Sequence, residues 1–114
     1  MFKFQTLEVW KKAIRIFPYV IDVADELPAK YQYSLRDNLI RAAVSIPNNI
    51  SEGRGRRNIN ETKHFYNIAK SSTYEVVNLS VIIAKKGLMT KEKFSKIYKD
   101  AEEISKMLSG LLKK

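Results

Sequence analysis

The stretch RAAVSIPNNISEGRGRR, residues 41–57, decides the fold. Its apolar residues recur at steps of three and four, which predicts a helix with one buried face. Pro47 removes a backbone hydrogen bond inside this helix, so we predict a kink there. Gly53 and Gly55 can adopt the positive φ angles that end helices, and they are predicted to close it. The predicted core positions of this helix are Leu35, Leu39, Ala42, Ile46 and Ile50.

Three further segments show the same spacing and predict three more helices. The first is predicted to kink at Pro18 and to end at Leu27-Pro28, and the third is predicted to stop at Gly87. The predicted helix starts, in chain order, are capped by Thr6, by Ser34 with Asp37, by Asn58 and by Thr90. The predicted core positions are Leu7, Trp10, Ile14, Phe17, Ile21 and Ala24 in the first helix, Phe65, Ile68, Ser72, Val76, Leu79 and Ile83 in the third, and Phe94, Ile97, Ala101, Ile104, Leu108 and Leu111 in the fourth.

No segment alternates apolar and polar residues in the manner of a strand. The short connections between the four predicted helices favour antiparallel neighbours. The sequence therefore predicts an all-α fold, an antiparallel up-and-down four-helix bundle. A length of 114 residues fits one domain, residues 1–114.

Composition narrows the classes of function. No apolar run approaches the roughly 20 residues that cross a bilayer, and the first residues do not resemble a secretory signal, so we expect a cytoplasmic protein without membrane contact. Because the chain has no cysteine, disulfides, thiolate metal sites and cysteine nucleophiles are excluded.

The formal net charge of +9 favours a polyanionic partner such as nucleic acid. Its C-terminal part, residues 85–114, carries nine basic and four acidic residues, and a solvated lysine face is the alternative interpretation there.

Three arginines alternate with glycines at the end of the second helix: Arg54, Arg56 and Arg57. Guanidinium groups and accessible backbone amides at such a turn favour binding of phosphate oxygens. Arg41 upstream and Lys63 downstream lie near enough in sequence to extend the basic surface. An arginine-rich turn that is simply solvated is the alternative, because neither a P-loop nor a dinucleotide-binding motif is present.

No catalytic or metal-binding constellation emerges. The acidic pairs Asp25-Glu26 and Glu102-Glu103 are adjacent in sequence, so their side chains diverge on a helix. His64 is the only histidine, and with Glu61 it supplies two of the four or more ligands that a di-metal bundle needs. We therefore expect no cofactor, no metal and no enzymatic activity.

The residues resemble a known family over nearly the whole chain. The segments that carry the resemblance are Leu7–Ala13, Leu39–Arg56, and Glu61 with Phe65, Ile68, Ala69 and Glu75. They are similar to the four-helix bundle proteins encoded by intervening sequences within bacterial 23S ribosomal RNA genes. The accessory variability protein of diversity-generating retroelements has the same fold.

This resemblance implies a four-helix protomer that assembles into a homo-pentamer, with a basic surface for nucleic acid and no known enzymatic activity. It also implies residue roles. Pro47 and Asn49 correspond to helix-kink positions, and Glu52 and Gly53 to structural positions at a helix end. Arg41, Arg54 and Arg56 correspond to recurring basic positions.

Two hypotheses follow from the sequence. The first is a non-enzymatic homo-oligomer that binds RNA or DNA through phosphate contacts of Arg41, Arg54, Arg56, Arg57 and Lys63. The second is an oligomeric scaffold that binds an unidentified protein partner and uses its charge for solubility.

Overall fold

The computed structural model describes residues 1–114 as four long helices without a strand. The helices are α1 Glu8–Glu26, α2 Asp37–Arg54, α3 Ile59–Lys85 and α4 Lys91–Leu112. Each helix packs against the next in chain order, and α4 packs back against α1. This contact pattern confirms the all-α, up-and-down four-helix bundle. None of the helices combines the length and apolar character that crossing a bilayer demands.

The first helix turns a different face to the core from the one predicted. Its buried residues are Val9, Ala13, Ile16, Val20, Val23 and Ala24. Of the predicted positions only Ala24 is among them, and Ile14 is 44% exposed. The prediction was wrong because α1 carries two adjacent apolar stripes, and periodicity alone does not choose between them. The larger side chains, including Trp10 and Phe17, pack at the edge of the core instead.

The other three helices follow the predicted faces more closely. Leu39, Ala42, Ile46 and Ile50 of α2 are fully buried, as are Ile97, Ala101, Ile104 and Leu108 of α4. In α3 the second half of the predicted stripe is buried, from Ser72 to Ile83. In its first half Tyr66 and Ala69 are buried and the predicted Phe65 and Ile68 are only half-buried.

Helix starts depart from the prediction in the first two helices. Thr6 does not cap α1, because Leu7 is its N-cap and the Thr6 hydroxyl donates to the Lys3 carbonyl instead. The side chain of Ser34 caps nothing, because a 3₁₀ turn at Ala29–Tyr31 and a π-helical turn at Gln32–Arg36 lead directly into α2. Ser34 therefore lies within helical backbone, where its carbonyl accepts a bond from Asn38 Nδ2 at 2.6 Å. Asn58 and Thr90 do cap α3 and α4 through their side-chain oxygens.

Gly87 ends α3 as predicted. Its φ of +75° is the only positive one in the chain. The backbone amides of Gly87 and Leu88 donate to the carbonyls of Ala84 and Ile83 at 3.0 and 3.1 Å. This double closure is a Schellman motif, which satisfies carbonyls that the helix end leaves without partners.

Gly53 and Gly55 do not adopt the positive φ angles predicted for them. Gly55 follows α2 with φ −82°, and Gly53 lies buried inside the helix. Gly53 is required for space instead, because a Cβ there would stand 2.7 Å from the Tyr66 ring of α3. Both predicted kink sites, Pro18 and Pro47, lie within continuous helices, and the kinks themselves stay predictions.

Small residues line the contact between α2 and α3. Ala42, Ala43 and Gly53 of α2 and Ala69 and Ser72 of α3 are all buried, and Gly53 lies directly against the Tyr66 ring. Where hydroxyl groups meet, they bond to each other, as Ser45 Oγ and Ser72 Oγ do at 2.7 Å. The helices therefore share the most extensive contact in the bundle.

We expect Gly53→Ala to lower the free energy of unfolding by about 1–3 kcal/mol, because the added methyl overpacks the contact with Tyr66. Gly55→Ala is the matched control. Its Cβ would have no neighbour nearer than 3.6 Å, and alanine also favours helix, so stability should stay equal or rise. Urea unfolding followed by circular dichroism measures both. Equal stability of the two variants would contradict the steric role of Gly53.

A second prediction concerns the ion pair that joins α1 to α4. Lys12 donates to Glu103 and lowers the pKa of that carboxyl from its ordinary value of 4.5. Because the folded-state pKa lies below the unfolded one, the pair stabilises the bundle above pH 4.5, and this contribution disappears as pH falls through the depressed pKa. Glu103→Gln should therefore lose less stability on acidification than the parent.

The matched control is Glu8→Gln. Glu8 pairs with Lys11 on the same exposed helix surface, where such pairs contribute little. Urea midpoints recorded from neutral to acid pH test both variants. Parallel pH curves for the parent and Glu103→Gln would refute the prediction.

Candidate nucleic-acid interface

The arginine-rich turn is a fixed structure at one end of the bundle. Arg54 is the last residue of α2, and α3 begins at Ile59. The amides of Gly55 and Arg56 donate back to the carbonyls of Ser51 and Gly53, each at 3.2 Å. These bonds, with the Asn58 cap of α3, fix the four-residue connection Gly55–Asn58, which places Arg56 and Arg57 directly after Arg54.

A short 3₁₀ turn before α1, Lys3–Thr6, lies against the arginine-rich turn and contacts both α1 and α2. Together they enclose a cleft of about 340 Å³, here called the arginine cleft, which is lined by Phe2, Lys3, Phe4, Arg54, Gly55, Arg56 and Arg57. The 3₁₀ turn is closed by its own bonds. The Phe2 amide donates to Gln5 Oε1 at 2.8 Å, and Thr6 Oγ1 donates to the Lys3 carbonyl at 2.7 Å.

The cations of the arginine cleft differ in how far they are neutralised. Arg56 donates to Glu52 at 2.7 Å, and its guanidinium lies 4.7 Å from the centre of the Phe65 ring. Arg54, Arg57 and Lys3 make no ion pair and no side-chain hydrogen bond. The cleft therefore has three cations whose donors are free for a ligand.

The charge of Arg54 acts on the pKa of the neighbouring Tyr66 hydroxyl. Burial raises the pKa of the Tyr66 hydroxyl, and the Arg54 guanidinium opposes that increase. A cation favours the ionised form of a nearby acid, so the positive potential of Arg54 extends to the Tyr66 hydroxyl. It would act in the same direction on any anionic group in the cleft.

The remaining predicted basic residues lie apart from the cleft lining. Arg41 is in the first half of α2, thirteen residues before Arg54, which is about 20 Å along a helix. There it donates to Glu75 of α3 at 2.6 Å and to Asn38 at 3.3 Å. Lys63 is half-buried in the second turn of α3 and forms no ion pair. The structure thus brings together Arg54, Arg56 and Arg57, but not Arg41.

The predicted structural positions occupy different environments. The Asn49 amide donates to the Ser45 carbonyl and hydroxyl at 2.8 and 3.0 Å, beside the bond between Ser45 and Ser72. Glu52 is exposed and holds Arg56, and Gly53 accommodates the Tyr66 ring. Pro47 is half-buried and lines a small apolar cleft between α1 and α2.

Of the two adjacent acidic pairs, three carboxylates are engaged in ion pairs and Glu102 is not. Asp25 accepts from Arg36 at 3.4 Å, Glu26 from Lys93, and Glu103 from Lys12. Nowhere do three histidine, aspartate or glutamate side chains come close enough to hold a metal ion. A groove of about 560 Å³ lies between α3 and α4, and its lining includes Tyr74, Val77, Val81 and Tyr98.

Sequence reasoning missed three residues of the arginine cleft: Phe2, Lys3 and Phe4. The only signal in the sequence is a lysine between two aromatic residues ahead of the first helix. Its significance depends on how the 3₁₀ turn packs against the end of α2, fifty residues away in sequence. No local pattern encodes that contact.

Comparison with known proteins identifies a family and a similar solved structure. The family model described as 23S rRNA-intervening sequence protein matches residues 5–110. A crystal structure of a protein with unknown function from the S23 ribosomal protein family, from Bacteroides thetaiotaomicron, superposes with a TM-score of 0.85. The two chains are 20% identical, and the match covers 93% of this chain and 99% of the other. At that identity the likeness establishes the fold alone. No curated protein matches the sequence.

Proposed function

This chain belongs to the 23S rRNA-intervening sequence protein family, and on that basis we propose that it is a non-enzymatic, cytoplasmic, homo-oligomeric protein that binds nucleic acid through phosphate contacts. The arginine cleft is the proposed contact surface. Arg54, Arg57 and Lys3 bind phosphate oxygens, while Arg56 is already held by Glu52. Lys63 and Arg41 lie outside the cleft and are proposed as further phosphate contacts beyond it.

The observation that carries the proposal is the set of three unneutralised cations around one cleft. Guanidinium groups present paired donors that match two oxygens of one phosphate, and a lysine ammonium adds a point charge. Backbone contacts of this kind give affinity without sequence information. Three cations held close together repel one another and destabilise the folded state. A polyanionic ligand explains their grouping better than a contribution to stability does.

Homo-oligomer formation is supported by two apolar surfaces on opposite sides of the bundle. The cleft between α1 and α2 is lined by Ile14, Phe17, Pro18, Val44 and Pro47. The groove between α3 and α4 lies on the other side. A ring needs a head-to-tail interface formed by two different surfaces of each subunit, and this pair of surfaces meets that requirement. The pentameric state is proposed from the family resemblance.

The same surfaces favour the second candidate function, an oligomeric scaffold that binds a protein partner and no nucleic acid. Ile14 and Val44 are 44% and 38% exposed, and apolar residues grouped in this way commonly mark interaction sites. The two functions differ in whether the arginine cleft binds a polyanion.

We expect the double variant Arg54→Glu/Arg57→Glu to lose most of its affinity for RNA and DNA, because it replaces two phosphate contacts with repulsion. Neutral Arg54→Gln/Arg57→Gln should reduce the slope of log affinity against log salt by about 0.7–0.9 per lost contact. Fluorescence anisotropy across a salt series measures both quantities.

The matched control is Lys91→Glu/Lys99→Glu. It changes the net charge by the same amount. Both lysines lie in the first half of α4, which begins at the end of the bundle opposite the arginine cleft. Neither lysine forms an ion pair. A loss of affinity equal to that of the arginine variant would mean that only net charge matters. Full binding by a folded Arg54→Glu/Arg57→Glu protein would refute the proposed contact surface and favour the scaffold.

We expect Ile14→Glu/Val44→Glu to dissociate the oligomer to monomers without unfolding it, because both side chains are partly exposed in the protomer. Light scattering coupled to size exclusion gives the mass, and circular dichroism gives the fold. Ile82→Glu is the control, since Ile82 is 39% exposed and lines neither apolar surface. Retention of the parent's oligomeric mass by the double variant would exclude the α1–α2 cleft as the interface.

A further inference from the structure

An aromatic stack leads from the edge of the core to the arginine cleft. Trp10 packs against the core, and the Phe4 ring meets it edge-on with centroids 5.3 Å apart. Phe2 then stacks on Phe4 with centroids 5.8 Å apart and planes inclined by 23°. Both phenylalanines also line the arginine cleft.

The outermost ring of this stack is exposed although its position is fixed. Phe2 is 73% exposed. Its backbone is held by reciprocal bonds with Gln5, in which the Phe2 amide donates to Gln5 Oε1 at 2.8 Å and the Gln5 amide donates to the Phe2 carbonyl at 3.1 Å. An exposed phenylalanine ring keeps its apolar area in water and so forgoes the free energy that burial would give. The exposure therefore does not serve the stability of the bundle.

The exposed ring and the free cations occupy one cleft, and this combination has a specific chemical meaning. A nucleotide has a flat base with a π face and a phosphate within one nucleotide length of it. Proteins that bind single strands combine aromatic rings that stack on bases with cations that follow the backbone. A cleft of about 340 Å³ lies within the usual range for small-molecule sites.

We propose that the arginine cleft binds single-stranded nucleic acid, with an unpaired base stacked on Phe2 and the adjoining phosphates held by Arg54, Arg57 and Lys3. This inference rests on the proposed function and names the ligand class for the same site. In an intact duplex the base faces are covered by their neighbours, so Phe2 has no face to stack on. The cleft therefore selects unpaired segments over duplex.

Base stacking and phosphate contact are common to single-stranded RNA and DNA. The experiment therefore uses four labelled probes: oligouridylate, oligothymidylate, an abasic strand with the same number of phosphates, and a blunt duplex. Full-length Phe2→Ala should bind the two base-bearing strands about 5- to 150-fold more weakly, the loss expected for one stacked base. Its affinity for the abasic strand and the duplex should be unchanged, and so should its salt slope, because no phosphate contact is removed.

Two variants test the flat ring rather than apolar area. Phe2→Trp should retain or strengthen binding of the base-bearing strands, and Phe2→Leu should weaken it as alanine does. Weaker binding of either oligouridylate or oligothymidylate by Phe2→Ala supports the inference. The strand whose binding is weakened shows whether the ligand is RNA or DNA. Circular dichroism confirms that each variant is folded.

Two results would overturn the inference, and they are distinguishable from failure of the proposed function. If Phe2→Ala binds the base-bearing strands as the parent does while Arg54→Glu/Arg57→Glu loses them, the cleft binds phosphate without stacking. If Phe2→Ala weakens all four probes equally, the ring only supports the turn. If the arginine variant itself binds normally, the proposed function fails and this inference fails with it.

Discussion

The close packing of α2 against α3 is the constraint on which the rest of the structure depends. It requires residues without bulk on both helices, and Gly53 is the limiting case because the Tyr66 ring occupies the space of its missing Cβ. Polar side chains at this contact bond to each other, as Ser45 Oγ and Ser72 Oγ do at 2.7 Å. Gly53 lies one residue before α2 ends at Arg54, and α3 starts at Ile59. The arginine-rich turn lies between those two points, so the packing that defines the fold also orients the candidate site.

Much of this architecture could be predicted from the sequence, for identifiable reasons. α4 has a single narrow apolar stripe, so its buried face follows directly from the spacing of Ile97, Ala101, Ile104 and Leu108. α1 has two adjacent stripes, and the choice between them is made by the neighbouring helices, not by α1. The small residues Ala13, Val20 and Ala24 face the core, where they take less room than Trp10 or Phe17 would. Tertiary packing thus decides between two stripes that the spacing of apolar residues does not distinguish.

The glycines illustrate a different limit. In a sequence, a glycine that provides a positive φ and a glycine that provides space look the same. Gly87 has the first role, with φ +75°, and Gly53 has the second. Telling them apart requires the identity of the residue packed against each one. The same limit applies to the candidate site, where the arginines could be identified from their spacing but Phe2, Lys3 and Phe4 join them only through a tertiary contact.

The segment with the largest basic excess in the sequence is not the place where the structure gathers unpaired cations. Residues 85–114 carry the largest basic excess, nine basic against four acidic residues. Most of these lysines are distributed along α4, whose 22 residues extend for about 33 Å. At physiological ionic strength exposed charges further apart than about 8 Å are largely screened from one another. Scattered lysines therefore do not combine into one strong field.

The arginine cleft has fewer cations, but they line one small space. Glu52 is the only acid that pairs with any of them, and it pairs with Arg56 alone. Lys93 and Lys96 of α4, by contrast, are paired with Glu26 and Asp100. What distinguishes the candidate surface from a solvated lysine face is thus the local density of charge that remains unneutralised after folding. That quantity depends on which acids the fold brings near each base, so only the three-dimensional structure supplies it.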